Sequence, residues 1–161
     1  MSVAVSRVIE SKIPLIYLNR VGGQDELVFD GASFCLSHEG KLSVQLKDFQ
    51  EEVLEINLTK PDNNWICTGK INSISSNLEA LYKSLVVSVR DYVQNNGFPG
   101  VVLGMSGGID SALVAAIATD ALGPKLVRAV MMPSPYTSKD SLEDAESVSY
   151  THLRAHETLQ H

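Results

Sequence analysis

The turn Gly104-Met105-Ser106-Gly107-Gly108-Ile109-Asp110-Ser111 constrains this chain more than any other stretch. Before it lies Gly100-Val-Val-Leu-Gly104, a short apolar run bounded by glycine that reads as a buried parallel strand. After it, Ser111 to Leu122 is strongly helical text, ended by Gly123-Pro124. Leu126-Val-Arg-Ala-Val-Met-Met132 is a second apolar run, stopped by Pro133. Strand, turn, helix, strand predicts a βαβ unit, with parallel pairing and a right-handed crossover. The fold class expected is therefore α/β.

A turn in that position has a definite chemistry. Two adjacent glycines, Gly107 and Gly108, let the backbone approach a ligand closely. The helix start leaves N–H groups unpaired and presents the positive end of its dipole, which together bind anions. Ser106 and Ser111 add hydroxyl donors. Asp110 is out of place in a bare phosphate site unless a cation bridges it to the ligand. Mg²⁺ suits that bridge, because it takes few carboxylates and shares its shell with phosphate oxygens. The residues alone thus suggest a Mg²⁺-bound polyphosphate.

Other readings of the same turn exist. Asp110 could be an ordinary first-turn or N-cap acid in a glycine turn. At average composition, however, Ser-Gly-Gly-x-Asp-Ser arises by chance in about one chain in 10⁴ of this length. Gly104-Met-Ser-Gly-Gly108 also fits G-x-S-x-G, the nucleophile elbow of α/β-hydrolases, with Ser106 as nucleophile. That reading needs a later acid and histidine, and the later histidines are His152, His156 and His161. A phosphate loop of the Walker type needs Gly-Lys-Ser/Thr, and Gly108 is followed by Ile109.

Elsewhere the chain sets bounds. It has 161 residues and a formal net charge of −6, with 44% hydrophobic and 20% charged residues. That is the composition of a globular protein. The acidic balance argues against binding nucleic acid through bulk charge. Two cysteines, Cys35 and Cys67, cannot build a disulfide framework or a four-ligand zinc site, and two reduced thiols in the cytoplasm are expected. No stretch approaches the ~20 apolar residues of a membrane span, and Met1 to Arg7 does not read as a signal peptide.

Three zones differ in texture. From Met1 to about Asp48 the text is strand-like. Ile13 to Leu18, Glu26 to Phe29 and Ala32 to Leu36 are short β-forming runs, and Asp30-Gly31 between the last two predicts a hairpin turn. Glu39-Gly40 predicts a second turn before the alternating strand Leu42 to Leu46. Cys35 falls on a strand, where a free cysteine is expected to be a small core residue. His38, beside the turn, is expected to be exposed. The second zone, Phe49 to Ser76, reads as a connector. The third opens with a helix. Ser76-Asn-Leu-Glu79 fits a capping box, Leu78, Leu81, Leu85, Val89 and Val93 make one apolar stripe, and Asn96-Gly97 is the stop.

Ser106-Gly-Gly-Ile-Asp-Ser111 resembles the signature of the ATP pyrophosphatase (PP-loop) superfamily. Arg90 to Gly104 and Val127 to Ser138 resemble glutamine-dependent NAD⁺ synthetase. Pro14 to Gly31 resembles the last part of that family's nitrilase-type glutaminase domain. The resemblance implies the end of a nitrilase-like αββα domain (residues 1–50), a linker (51–76) and the first βαβ unit of a doubly wound parallel-sheet ATP pyrophosphatase domain (77–146).

It also implies an activity. The glutaminase half frees ammonia from glutamine, and the synthetase half adenylates deamido-NAD⁺ with ATP and Mg²⁺, after which ammonia displaces AMP. Gly104, Met105, Ser106, Gly107, Gly108, Ile109, Asp110 and Ser111 would hold the ATP phosphates, and Asp110 would ligate Mg²⁺. A soluble cytoplasmic enzyme, homo-oligomeric at full length, is implied. Another PP-loop ligase and a Ser106 hydrolase are the alternatives. The family's glutaminase Cys, Glu and Lys belong to sequence upstream of the part that aligns, so no catalytic residue is assigned in this chain and it is expected to be inactive alone. Gln24-Asp25-Glu26 looks like a family segment to which no step is assigned. From Val148 to Thr158 the text departs from the synthetase and resembles one reading frame of a transposase-type sequencing adapter, so residues 147–161 are expected to be non-native.

Overall fold

The computed structural model describes residues 1–61, 65–131 and 139–152. It divides into two compact units, Met1–Gly22 with Leu27–Ser84 and Gly23–Glu26 with Leu85–His161. Pro133 to Ser138 and the histidines His156 and His161 lie outside the described residues.

The first unit is built on an antiparallel sheet. Its strands β1 (Leu15–Tyr17), β4 (Phe34–Leu36) and β5 (Leu42–Gln45) lie in the order β1-β4-β5. The turn at Glu39-Gly40 forms as the sequence indicates. Gly40 takes φ 77°, and its amide donates to the Ser37 carbonyl at 2.8 Å. Leu36 and Val44 are completely buried, and Cys35 is buried beside Leu36 in β4, as expected of a core cysteine. His38 is half-buried rather than exposed, being held within this tight turn.

The first residues are not strand-like. Ser2–Ser11 form helix α1, ended by Lys12 in the left-handed conformation. Its Val8 is fully buried, and Val5 and Ile9 lie close enough to Gly40 to meet any side chain placed there. Their β-branched side chains favour strands locally, and burial of one helical face overrides that preference.

The Asp30-Gly31 hairpin does not form. Strand β2 (Val21–Gln24) is paired with β3 (Leu27–Asp30), and the connection is Asp25-Glu26, with Asp25 at φ 52°. Asp30 instead accepts from the Asn19 side chain at 2.8 Å, and the Gly31 amide donates to the Arg20 carbonyl at 2.9 Å. Both glycines of Val21-Gly-Gly-Gln24 are buried, and their low strand propensity hides this strand in the sequence.

The stretch that reads as a connector carries structure. Strands β6 (Asn57–Thr59) and β7 (Ile66–Thr68) pair antiparallel, and Cys67 joins Cys35 and Val44 in a buried cluster flanked by Leu46, Leu54 and Ile56.

Helix α2 (Asn77–Asn95) begins at the capping box. Ser76 Oγ accepts the Glu79 amide at 3.4 Å. The Glu79 carboxyl lies below the usual range through its hydrogen bond and charge pairing with Lys83 first, and through the Ser76 backbone. The predicted apolar stripe is only partly buried. Val93 is covered, and so is Val87 outside the stripe, whereas Leu78 is 81% and Leu81 57% exposed. Among the described residues no helix is long and apolar enough to cross a membrane.

In the second unit, β8 (Val101–Met105) and β9 (Val127–Met131) pair in parallel, from Val101↔Val127 to Met105↔Met131. Helix α3 (Ile109–Leu122) lies between them in sequence and ends at Gly123, and helix α4 (Lys139–His152) follows. Met105, Ala115, Ala118, Val127, Ala129 and Ala145 form the core. The parallel pairing is as expected. The complete burial of β8 is not: its residues alternate, and Val102 is 68% exposed. Helices α3 and α4 pack on the odd-numbered face, so only that face is dry.

Candidate nucleotide-phosphate site

Strand β8 ends with Met105 held in the core at 4% exposure, which anchors the start of the loop. Ser106 is exposed. Gly107 takes φ 81°, a left-handed conformation that glycine adopts without steric cost. A Cβ at this position would also run into the backbone of Ser141 on α4, so the turn requires glycine on two counts. Gly108 returns to extended backbone (φ −86°, ψ 157°) and is the N-cap of α3.

A glycine N-cap brings no side-chain acceptor, and among the described residues no side chain caps this helix start. The first-turn amides therefore face outward as donors. Two hydroxyls shape the loop. Ser111 Oγ donates to the Gly108 carbonyl at 2.8 Å and lies 3.4 Å from the Ser106 amide as its acceptor. Ser106 Oγ accepts the Gly108 amide at 3.3 Å and sits 3.2 Å from Ser111 Oγ. Asp110 lies exposed in the first turn of α3, and Ile109 is 80% exposed.

The eight residues singled out in the sequence thus form one continuous feature, a strand end, a loop and a helix start. Their contributions differ. Met105 adds backbone only, since its side chain belongs to the core. Gly104 continues the ladder opposite Val130. Ser106, Asp110 and Ser111 carry the polar chemistry. One participant was not foreseen: Ser141, whose backbone backs Gly107. Nothing local to Gly107 signals a neighbour so far along the chain.

The strain in this turn lies at Gly107, not at Ser106, which is absent from the residues with positive φ. A nucleophile elbow concentrates strain at its serine. Among the described residues, the Ser106 amide donates to Ser111 Oγ, and Ser106 Oγ accepts the Gly108 amide and meets Ser111 Oγ.

A second candidate nucleophile is also unsuited. Burial pushes the Cys35 thiol up to about 12, with the neighbouring Cys67 adding to the shift. Such a thiol is not ionised at neutral pH. Among the described residues no group of three or more His, Cys, Asp or Glu could hold a metal ion.

Residues 81–158 match the family model described as NAD synthase. Over those residues the chain is similar to the NAD synthase family. The matched segment spans most of α2, then β8, the loop, α3, β9 and α4. The chain as a whole is similar to glutamine-dependent NAD(+) synthetases. It is 48% identical to that of Rhodobacter capsulatus over 145 residues, covering 89% of this chain and 26% of the relative. It is 48% identical to that of Acinetobacter baylyi over 133 residues, covering 83% and 24%. The solved structure of the Acinetobacter baumannii glutamine-dependent NAD⁺ synthetase, in complex with ADP, superposes with a TM-score of 0.84 at 39% identity. That superposition covers 92% of this chain and 28% of the other. The chain thus spans about a quarter of the length of these synthetases.

Proposed function

We propose that this chain is part of an enzyme that amidates deamido-NAD⁺ to NAD⁺ with ATP and glutamine-derived ammonia, releasing AMP and pyrophosphate. In this reading residues 1–50 are the end of a nitrilase-like glutaminase domain and 51–76 a linker whose β6–β7 hairpin packs into the same unit. Residues 77–146 carry the first βαβ unit of a doubly wound ATP pyrophosphatase domain, and 147–161, which the family match enters as far as residue 158, are read as a non-native tail. The parent is a soluble cytoplasmic homo-oligomer.

The observation that carries this reading is the loop at the start of α3, where a glycine N-cap leaves outward amides beside two hydroxyls and one carboxylate. The segment's similarity to NAD synthases supports it.

The chain's own groups account for binding and orientation. Residues Gly104 to Ser111 cradle the ATP phosphates. The first-turn amides of α3 donate to phosphate oxygens and present the positive end of the helix dipole. The hydroxyls of Ser106 and Ser111 exchange their mutual contact for phosphate oxygens. Preorganised donors of this kind stabilise charge as it develops on the pyrophosphate leaving group. Asp110 is the residue that would hold Mg²⁺, and one exposed carboxylate completed by phosphate oxygens and water suits that ion. When bound, the ion neutralises phosphate charge.

Calorimetric titration of the chain with ATP, with and without Mg²⁺, tests the loop assignment. Binding that strengthens with Mg²⁺ and loses that increment in Asp110→Asn is expected. Equal affinity for ATP in the two proteins with Mg²⁺ present would remove Asp110 from the site. NAD⁺ formation by the isolated chain is not expected, since the glutaminase residues are not assigned within it.

A further inference from the structure

Cys35 and Cys67, the only two cysteines of the chain, are both 3% exposed and both belong to one buried cluster of the first unit. Both thiols are free, and both side chains pack with Val44 in that cluster. They are far apart in sequence, on elements of unequal standing. Cys35 is in β4, the central strand, paired on one side with Ile16 of β1 and on the other with Val44 of β5. Cys67 is in β7, whose paired strand β6 is exposed at every residue and whose own neighbours Ile66 and Thr68 are exposed.

We propose that Cys35 and Cys67 form a redox pair, in which opening of the β6–β7 hairpin exposes Cys67 to a small-molecule disulfide and Cys35 then closes an intramolecular disulfide. In the first step the Cys67 thiolate attacks the small disulfide. One new S–S bond forms, one thiol leaves, and the Cys67 proton goes to solvent or to that thiol. In the second step the Cys35 sulfur attacks Cys67 of the mixed disulfide and gives up its proton to the departing sulfur, forming the internal S–S bond and releasing the second thiol. Two protein thiols are oxidised and one small disulfide is reduced to two thiols. While the hairpin is closed neither sulfur is accessible, so the hairpin's opening sets the rate. Their place in one buried cluster makes the second step intramolecular. The product locks β7 onto β4.

The test is incubation of the native chain with oxidised glutathione, followed by intact mass and peptide mapping without reductant. The expected result is loss of two hydrogen atoms, a cross-linked pair of peptides containing Cys35 and Cys67, and reversal by dithiothreitol. Cys35→Ser should stop at a persistent glutathione adduct on Cys67. Cys67→Ser should stay unmodified under native conditions, because Cys35 sits in the central strand. Amide exchange in the β6–β7 hairpin of the oxidised chain should slow by about tenfold or more. A stable glutathione adduct on the unsubstituted chain would overturn the proposal. So would an unchanged mass when the same chain in urea reacts readily. These readouts on the unsubstituted chain decide the matter even if a serine variant does not fold.

Discussion

The Gly23 amide donates to Oδ2 of Asp91 at 2.7 Å, within the second unit. The other carboxylate oxygen of Asp91 accepts from Arg90 Nε at 2.9 Å. Ser88 Cα and Asp91 Cβ lie at van der Waals distance from where a Gly23 side chain would begin, so the strand packs closely on the helix here. The segment Gly23 to Glu26, to which its sequence assigns no chemical step, is thereby fixed to helix α2.

Asp91 is mostly buried, and its hydrogen bonds are charge-assisted. Asp91→Ala is expected to destabilise the chain by about 1.5–3 kcal/mol, the range for hydrogen bonds to charged groups. Denaturant unfolding gives the magnitude, and amide exchange at Gly23 gives the site. A Gly23 amide that exchanges no faster in the variant would show that the contact contributes nothing.

Two left-handed glycines separate conformation from space. Gly97 has φ 67° and open space within 4 Å of where a side chain would begin, while Gly107 has φ 81° and the Ser141 backbone against it. Gly97→Ala should cost only the left-handed penalty of about 1–2 kcal/mol. Gly107→Ala adds displacement of α4 and should cost roughly 1–3 kcal/mol more. Paired unfolding curves check this, and equal losses would mean that α4 is not seated on the loop.

Ser111 holds the loop's shape through the Gly108 carbonyl and the Ser106 amide. Ser111→Ala should weaken tripolyphosphate binding about three- to tenfold, near ~1 kcal/mol, with a comparable loss of stability. Titration by calorimetry reads the first effect. Unchanged binding would confine Ser111 to a purely structural part.

Asp48 gives the first unit an acid-sensitive joint. Burial raises its pKa. Hydrogen bonds from the Ser75 hydroxyl and amide and the charge of Lys83 outweigh that, and the net shift is downward. A carboxyl lowered in the folded state stabilises above its unfolded pKa of about 3.9, and that contribution is lost as pH falls through the folded value. The chain should therefore lose stability on acidification from about pH 4 downward. Asp48→Asn should flatten that part of the profile. Urea midpoints measured across this range test it, and parallel profiles for the two proteins would exclude Asp48.

The sequence by itself determined the βαβ unit and its loop, because their signals are local. Apolar runs of strand length, a helical run, and glycines at Gly107, Gly108 and Gly123 act within a few residues of where they stand. The capping box at Ser76 and the turn at Gly40 are legible for the same reason. Tertiary structure decided what depends on distant partners. Val21-Gly-Gly-Gln24 pairs with β3, which displaces the hairpin that Asp30-Gly31 suggested. Packing recruits the valine- and isoleucine-bearing Ser2–Ser11 into a helix by burying Val8. It seats Ser141 on Gly107 and brings Cys67 out of an unpromising stretch against Cys35. Local propensities amount to tenths of a kcal/mol per residue. Burial of a whole apolar side chain is worth about 1.5–3 kcal/mol, so where the two conflict the long-range contact prevails.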